Sequence, residues 1–383
     1  MAMRGLGNQL AVVVIAGCAI VAAPWMRGIL PGQFLLDDAH LRDSIAGNLL
    51  LGDAEGFVAV AGYYRALGLA GSPPAAALVA IVLFTAAIFL AIGWERLRDL
   101  DVIGLGAIGA SYVLALAYLA QYSKELFTLA VVTAALAMPR SRWGDAGIVL
   151  ACLAYAGTVR SYWVIIAVLF VLWRIALARL RQPLLLLLVP VLAYAAMAPV
   201  FDAMLGGLQS QREWANAERA STSDAASLIQ SPIPGATGVL GVVSALIMVV
   251  LLIAPVPLAA SGSPYHVASA ALILGIWCVA LHPVVTGRFG ARPAVMSVRA
   301  ARAASLLLSL LLVQSLFEPD YGSYLKHLTP MLPLVIALLP AASSTRPGSA
   351  ADAPVGAPDG VGGSDPGTAT PAPSSTAPAG GRP

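Results

Sequence analysis

Apolar runs of about 15–22 residues, rich in Leu, Val, Ala and Ile, recur along the first 342 residues of this chain without period-2 alternation. A hydrocarbon core of ~30 Å is crossed by ~20 residues of α-helix. In lipid every backbone N–H and C=O must be paired internally, which leaves helices or closed barrels. Unalternating runs of this length predict helices. Composition supports the same reading. Charged residues make up 11% of the chain and hydrophobic ones 59%, with a mean hydropathy of +0.84. A soluble domain carries about 25% charged residues, so too few groups remain here to solvate a water-facing surface. The expected fold is all-α: a polytopic integral membrane protein with about ten or eleven transmembrane helices.

The runs predict spans at 9–27, 74–94, 102–120, 125–139, 146–160, 163–179, 183–203, 237–257, 267–285, 303–317 and 327–342. They form one transmembrane domain over 1–342, with long connections at 28–73 and 204–236. No internal repeat is visible. Residues 343–383 are Ala, Gly, Ser, Thr, Pro and a few Asp. Such a segment buries too little apolar surface to offset its ordering entropy, and it is expected to be a disordered tail. The run after Gln9 lacks a clear small-residue cleavage site, which predicts an uncleaved first span. Cys18, Cys152 and Cys278 fall inside apolar runs and read as small hydrophobes.

The net charge is only +3, and most Arg flank spans, the ordinary topogenic use of Arg. No nucleic-acid partner is expected. Arg4, Arg96, Arg98, Arg140, Arg142, Arg174, Arg179 and Arg181 fall on one side by simple alternation, which predicts a cytoplasmic N-terminus. Strict alternation then puts Arg288, Arg292, Arg299 and Arg302 outside, against the rule, and Asp320–His327 inside. One further crossing or re-entrant segment between about 204 and 287 repairs both. The Pro232–Pro234 and Pro255–Pro257 stretches are the expected places for it.

Polar groups cluster at span ends. After the first span, Asp37, Asp38, His40, Arg42 and Asp43 occupy a stretch whose Leu41, Ile45 and Leu49 share one helical face, with Asp38 and Arg42 at i, i+4. This is either an amphipathic helix on the membrane surface or an acidic site. In the second case Asp37 or Asp38 acts as general base or holds a divalent metal. Lys124 beside Glu125 heads a span. Lys124 and Lys326 are the only lysines among 22 basic residues. Arg160 opposes the topological bias, which points to anion binding or to stacking on Tyr162 or Trp163. Arg212 and Arg219 either hold phosphate or pair with Glu213 and Glu218 in a helix. The stretch from Phe317 to Pro333 packs Asp320, Tyr321, Tyr324, Lys326 and His327 between two apolar spans, where polar groups are costly. Asp320, Lys326 and His327 supply acid, cation and proton shuttle, with tyrosine faces for sugar rings. The alternative there is an interfacial anchor. His40, His266 and His282 show no metal-ligand spacing. Phosphate-loop, dinucleotide and zinc-protease motifs are absent from the sequence.

At these residues the chain resembles membrane proteins of bacterial surface-polysaccharide synthesis, the Wzy-like repeat-unit polymerases and the related GT-C-type glycosyltransferases. Three elements carry the resemblance: Leu36-Asp37-Asp38-Ala39-His40 in the first outer loop, Ser123-Lys124-Glu125 at a span head, and Gly322-Ser323-Tyr324-Leu325-Lys326-His327 before Pro330 and Pro333. Lys326 stands where the pattern has Arg, so a bidentate phosphate contact is not carried over there. The resemblance implies a multi-pass protein of the bacterial cytoplasmic membrane that polymerises polyprenyl-pyrophosphate-linked oligosaccharide repeat units at the outer face. Asp37, Asp38, Asp320 and His327 would be catalytic. Lys124, Arg160, Arg212, Arg219, Tyr321, Tyr324 and Lys326 would bind pyrophosphate and sugar. The implied partners are the polyprenyl-linked oligosaccharide, the bilayer and other polysaccharide-assembly proteins. No cofactor is implied, except a divalent metal if the chain is GT-C-like. The alternatives are a GT-C-like transferase using a polyprenyl-phosphate sugar and a precursor transporter or flippase.

Overall fold

The computed structural model describes residues 2–48, 55–180, 183–219, 227–289 and 296–339. Residues Met1–Ser344 group into one unit by their contacts. The 343–383 tail, Arg181, Leu49 and Arg292 lie outside the described residues. The named helices are α1 (Ala2–Ala22), α2 (Leu36–Ala46), α3 (Glu55–Ala66), α4 (Pro73–Ile92), α5 (Val102–Tyr118), α6 (Glu125–Ala137), α7 (Arg142–Ala156) and α8 (Trp163–Arg179). There follow α9 (Leu188–Leu205), α10 (Ser210–Arg219), α11 (Gly238–Ile253), α12 (Val256–Ala260), α13 (Pro264–Phe289), α14 (Val298–Phe317), α15 (Tyr321–Leu328) and α16 (Leu332–Ala337). No strand is present among the described residues.

Five stretches are long and apolar enough to cross a membrane: Leu6–Ile29, Pro73–Ile92, Leu184–Leu205, Pro264–His282 and Val298–Phe317. The chain is therefore a multi-pass helical membrane protein by length and composition. Among the described residues the other expected spans are shorter helices, several of which also run between the two ends of the bundle. Val102–Tyr118, Glu125–Ala137 and Gly238–Ile253 are apolar but have only 17, 13 and 16 residues. The last expected span is broken: Pro330 and Pro333 lie where α15 passes through a 3₁₀ turn, Thr329–Met331, into α16. The connection 28–73 holds two helices, α2 and α3, packed on each other.

α14 is the central element. Its window is 89% buried, against 28% for the first stretch, and it packs along α8, α11 and α16. A side chain such as Leu6 or Leu10 is exposed on α1, as suits a lipid-facing helix, whereas α14 buries even Ser305, Ser309 and Ser315. These hydroxyls donate to carbonyls within their own helix, so they add no unpaired group to the core.

The two ends of the bundle are defined by long-range contacts. At one end Asn8 Nδ2 donates to the carbonyls of Arg98 and Leu100. There too the start of α14 places Arg302, its fifth residue, on Asp145, and Arg299 donates to Ala91 O. This is the Arg-rich end. At the other end Ile229 N donates to Pro319 O, and Gln121 reaches Phe34 O. Asp320–His327 thus share an end with residues 33–37 and 121–125, while Arg299 and Arg302 share the opposite end with Arg98.

α11 is tied to its surroundings at both termini. Its first residue, Gly238, donates its N–H to Asp202 near the end of α9. Near its other terminus, Leu251 O accepts from Tyr321, and Leu258 of α12 faces the same end of the bundle. Both termini of α11 therefore make contacts with residues of the cavity end. At ~1.5 Å per residue its 16 residues also fall short of a ~30 Å core.

Candidate functional site at the end opposite the arginines

Five separate elements bring charge to this end. α2 opens one residue after the 3₁₀ turn Gly32–Leu35, and its first turn holds Asp37 and Asp38. One residue apart on a helix, they point about 100° from each other, and their surroundings differ accordingly. Asp38 is fully buried. It accepts from Arg27 Nε at 3.0 Å and from Arg42 Nε at 2.9 Å, and its other oxygen takes the Tyr122 backbone N–H at 3.2 Å. The i, i+4 pair with Arg42 forms as its spacing predicts. Asp38 thereby fastens α2 to the Gln121–Lys124 turn.

Asp37 instead ion-pairs with Lys326 of α15, and both line a cavity of about 560 Å³. Burial pushes the Asp37 carboxyl up. The charges of Lys326, Lys124 and Arg160 outweigh that and hold it at about 2. Lys124 lies 3.5 Å over the Phe57 ring of α3. Burial, then Arg160 and, more weakly, Lys326, bring its ammonium down to about 8 against the opposing pull of Asp37.

Behind this row runs a chain of alternating acids and bases. Glu125, fully buried at the head of α6, accepts from Arg160 at 2.6 Å. Arg160 also contacts His327 Nε2 at 3.0 Å. A guanidinium only donates, so this contact calls for an acceptor at Nε2; the other ring nitrogen, Nδ1, lies 2.6 Å from Glu318 Oε2. Glu318 O in turn accepts from Arg212 Nε at 2.9 Å. Arg160 is therefore an element of this chain, and Tyr162 stacks on Phe317.

Arg212 and Arg219, both on α10, have different surroundings. Arg212 is wholly buried beneath Glu318, with its two terminal nitrogens unmatched by any described hydrogen-bond partner. Its neighbour Glu213 accepts from Gly235 N. Arg219 is partly exposed and lies 2.7 Å from Asp320 Oδ2 at the cavity. Asp320 also caps α15 by accepting from Ser323 N at 2.7 Å. Burial, then the charge of Glu318, raise the Asp320 carboxyl above its ordinary value.

Of the residues singled out from sequence, Asp37, Arg219, Asp320, Tyr321 and Lys326 line the cavity. Lys124, Arg160 and His327 stand next to them. Asp38 and Tyr324 are turned away: Tyr324 is buried and its hydroxyl accepts from Trp277 Nε1 at 2.8 Å. Sequence reasoning left out Glu125 and Glu318 as site residues. It also left out Tyr118, Tyr265 and Ser269, which complete the cavity wall. The acid beside Lys124 was the available signal for Glu125. For Glu318 it was an acid at the end of an apolar span. Among the described residues no group of three or more His, Cys, Asp or Glu is placed to share a metal ion. No family profile, curated protein or solved structure matches this chain.

Proposed function

We propose that this chain is a glycosyltransferase of the bacterial cytoplasmic membrane that joins polyprenyl-pyrophosphate-linked oligosaccharide repeat units into a surface or exopolysaccharide at the outer face. The observation that carries the reading is the convergence of Lys124, Arg160 and Lys326, from three distant parts of the chain, on Asp37 beside a cavity at the end opposite the arginines. Cations fixed at a low-dielectric boundary are suited to a pyrophosphate whose lipid stays in the bilayer. The cavity also offers Tyr118, Tyr265 and Tyr321, with hydroxyls and ring faces for sugar.

In such a transfer an acceptor hydroxyl oxygen bonds to the donor's anomeric carbon as the bond from that carbon to the pyrophosphate oxygen breaks. The bonding pair leaves with the pyrophosphate, and the hydroxyl proton passes to a base. Asp37 is too strongly held as a carboxylate to be an effective base, because proton transfer favours a pKa near working pH. Its role is to hold Lys326 in place. Asp320, raised by burial and lining the cavity, is the better acceptor of the proton. His327 positions Arg160 through Nε2.

Deletion of the gene in its host, with gel and mass-spectrometric analysis of lipid-linked glycans, tests this. One complete repeat accumulating on the lipid, with long chains lost, supports polymerisation. A truncated repeat instead assigns a single-sugar transferase using a polyprenyl-phosphate donor. Unchanged glycans reject both and leave a transporter or a non-catalytic role.

A further inference from the structure

A second cavity, of about 430 Å³, lies at the Arg-rich end in the groove between α7 and α8. Its composition changes along its length. Arg179 ends α8 at the rim. Arg174 lies one turn and a half deeper. Phe170, Val171 and Val149 form the innermost wall, about 13 Å from Arg179 along the helix. Polar chemistry is thus at the water end and apolar chemistry at the membrane end.

The charge at the rim is not balanced by the acid that lines it. Asp145 accepts from Arg302 Nε at 2.5 Å through one oxygen and from Arg174 at 3.0 Å through the other. One carboxylate is shared by two guanidiniums, and Arg179 adds a third cation to the same groove. Arg302 also donates from behind to Met138 O and Ser141 O. It fixes Asp145, which in turn fixes Arg174 facing the groove. Nearby, exposed Trp143 begins α7 with Arg142 over its ring. Tryptophan favours the headgroup level, and this places the rim there.

We infer that this groove binds an anionic phospholipid, with its phosphate between Arg174 and Arg179 and the start of an acyl chain along Val171 and Phe170. A free phosphate has no use for the apolar floor, and a zwitterionic lipid gains less from the surplus positive charge.

The test uses the full chain purified in neutral detergent and loaded separately with dioleoyl phosphatidylglycerol or dioleoyl phosphatidylcholine. Native mass spectrometry reads the lipid retained. Phosphatidylglycerol is expected to stay bound and phosphatidylcholine to be lost. Arg179→Gln, which alters an exposed side chain, should weaken retention of phosphatidylglycerol about fivefold. Ala178→Trp, which fills the groove without removing charge, should weaken it as well; if that variant fails to fold, Arg179→Gln decides alone. Equal retention of the two lipids overturns the inference. So does undiminished phosphatidylglycerol binding in Arg179→Gln, or its full displacement by inorganic phosphate.

Discussion

The two ends of this bundle use the same residue types in opposite ways. At the Arg-rich end, Asp145 ties α7 to α8 and α14 through Arg174 and Arg302. Those contacts join neighbouring helices that already pack closely, and Arg302 is nearly covered. At the other end, Asp37, Lys124, Arg160 and Lys326 come from the first connection, two short turns and α15. They meet beside a cavity lined by turns and short helices, whereas the groove beside Asp145 runs between two packed helices. The first arrangement holds helices together. Both arrangements border a cavity, but the second gathers its charges from sequence-distant turns, at a desolvation cost that joining adjacent helices does not require.

Substitutions can break this comparison. The largest effect is expected for Arg160→Met. It strips the fully buried Glu125 of its closest partner and leaves only His327 Nε2 at 3.5 Å, which should cost about 3–5 kcal/mol, and it removes a cation beside the cavity, which should lower the proposed transfer by at least ~10²-fold. The double change Glu125→Gln with Arg160→Met should restore most of the stability, read by thermal unfolding, and none of the transfer. Recovery of transfer would reduce Arg160 to a structural residue. Next comes Lys326→Ala. Transfer should fall ~10²-fold, with less loss of stability than for Arg160, because both partners of its ion pair reach solvent.

Asp145→Asn should behave in reverse. Arg302 keeps its two carbonyl partners, so the loss of charged hydrogen bonds should destabilise by about 2–3 kcal/mol, while transfer per folded molecule is unchanged. The smallest effect concerns pH. Lys124 is protonated below about 8 and neutral above, so its help to an anionic donor is lost as pH rises through 8. Transfer should decline about tenfold over the next one to two pH units, and Lys124→Arg should move that decline to higher pH.

The helices were legible in the sequence to within a few residues because apolar run length reports them directly. The lengths of the shorter apolar helices were not, since Val102–Tyr118, Glu125–Ala137 and Gly238–Ile253 have 17, 13 and 16 residues. α11 has the composition of a spanning helix, and its contacts at Gly238 and Leu251 with residues of the cavity end could not be read from that composition. The site was legible as residue types in loops, and the Asp38–Arg42 pair was legible as spacing. What sequence did not separate was Asp37 from Asp38, because both sit in one helical turn and their partners, Lys326 and Arg27, come from elsewhere in the chain. The same holds for Arg212. A local pair with Glu213 was the obvious alternative from sequence, yet each residue turns to a different partner.

The central claim is that the cavity end transfers sugar from a lipid-linked pyrophosphate. The most direct measurement reconstitutes the full chain in vesicles with a polyprenyl-pyrophosphate-linked repeat unit and resolves the glycan products by gel. The account predicts a ladder of lengthened glycans with release of polyprenyl pyrophosphate, lost in Lys326→Ala and kept in Asp145→Asn. A ladder undiminished by Lys326→Ala, or no chain growth with a correctly inserted protein and the host's own repeat unit, would contradict it.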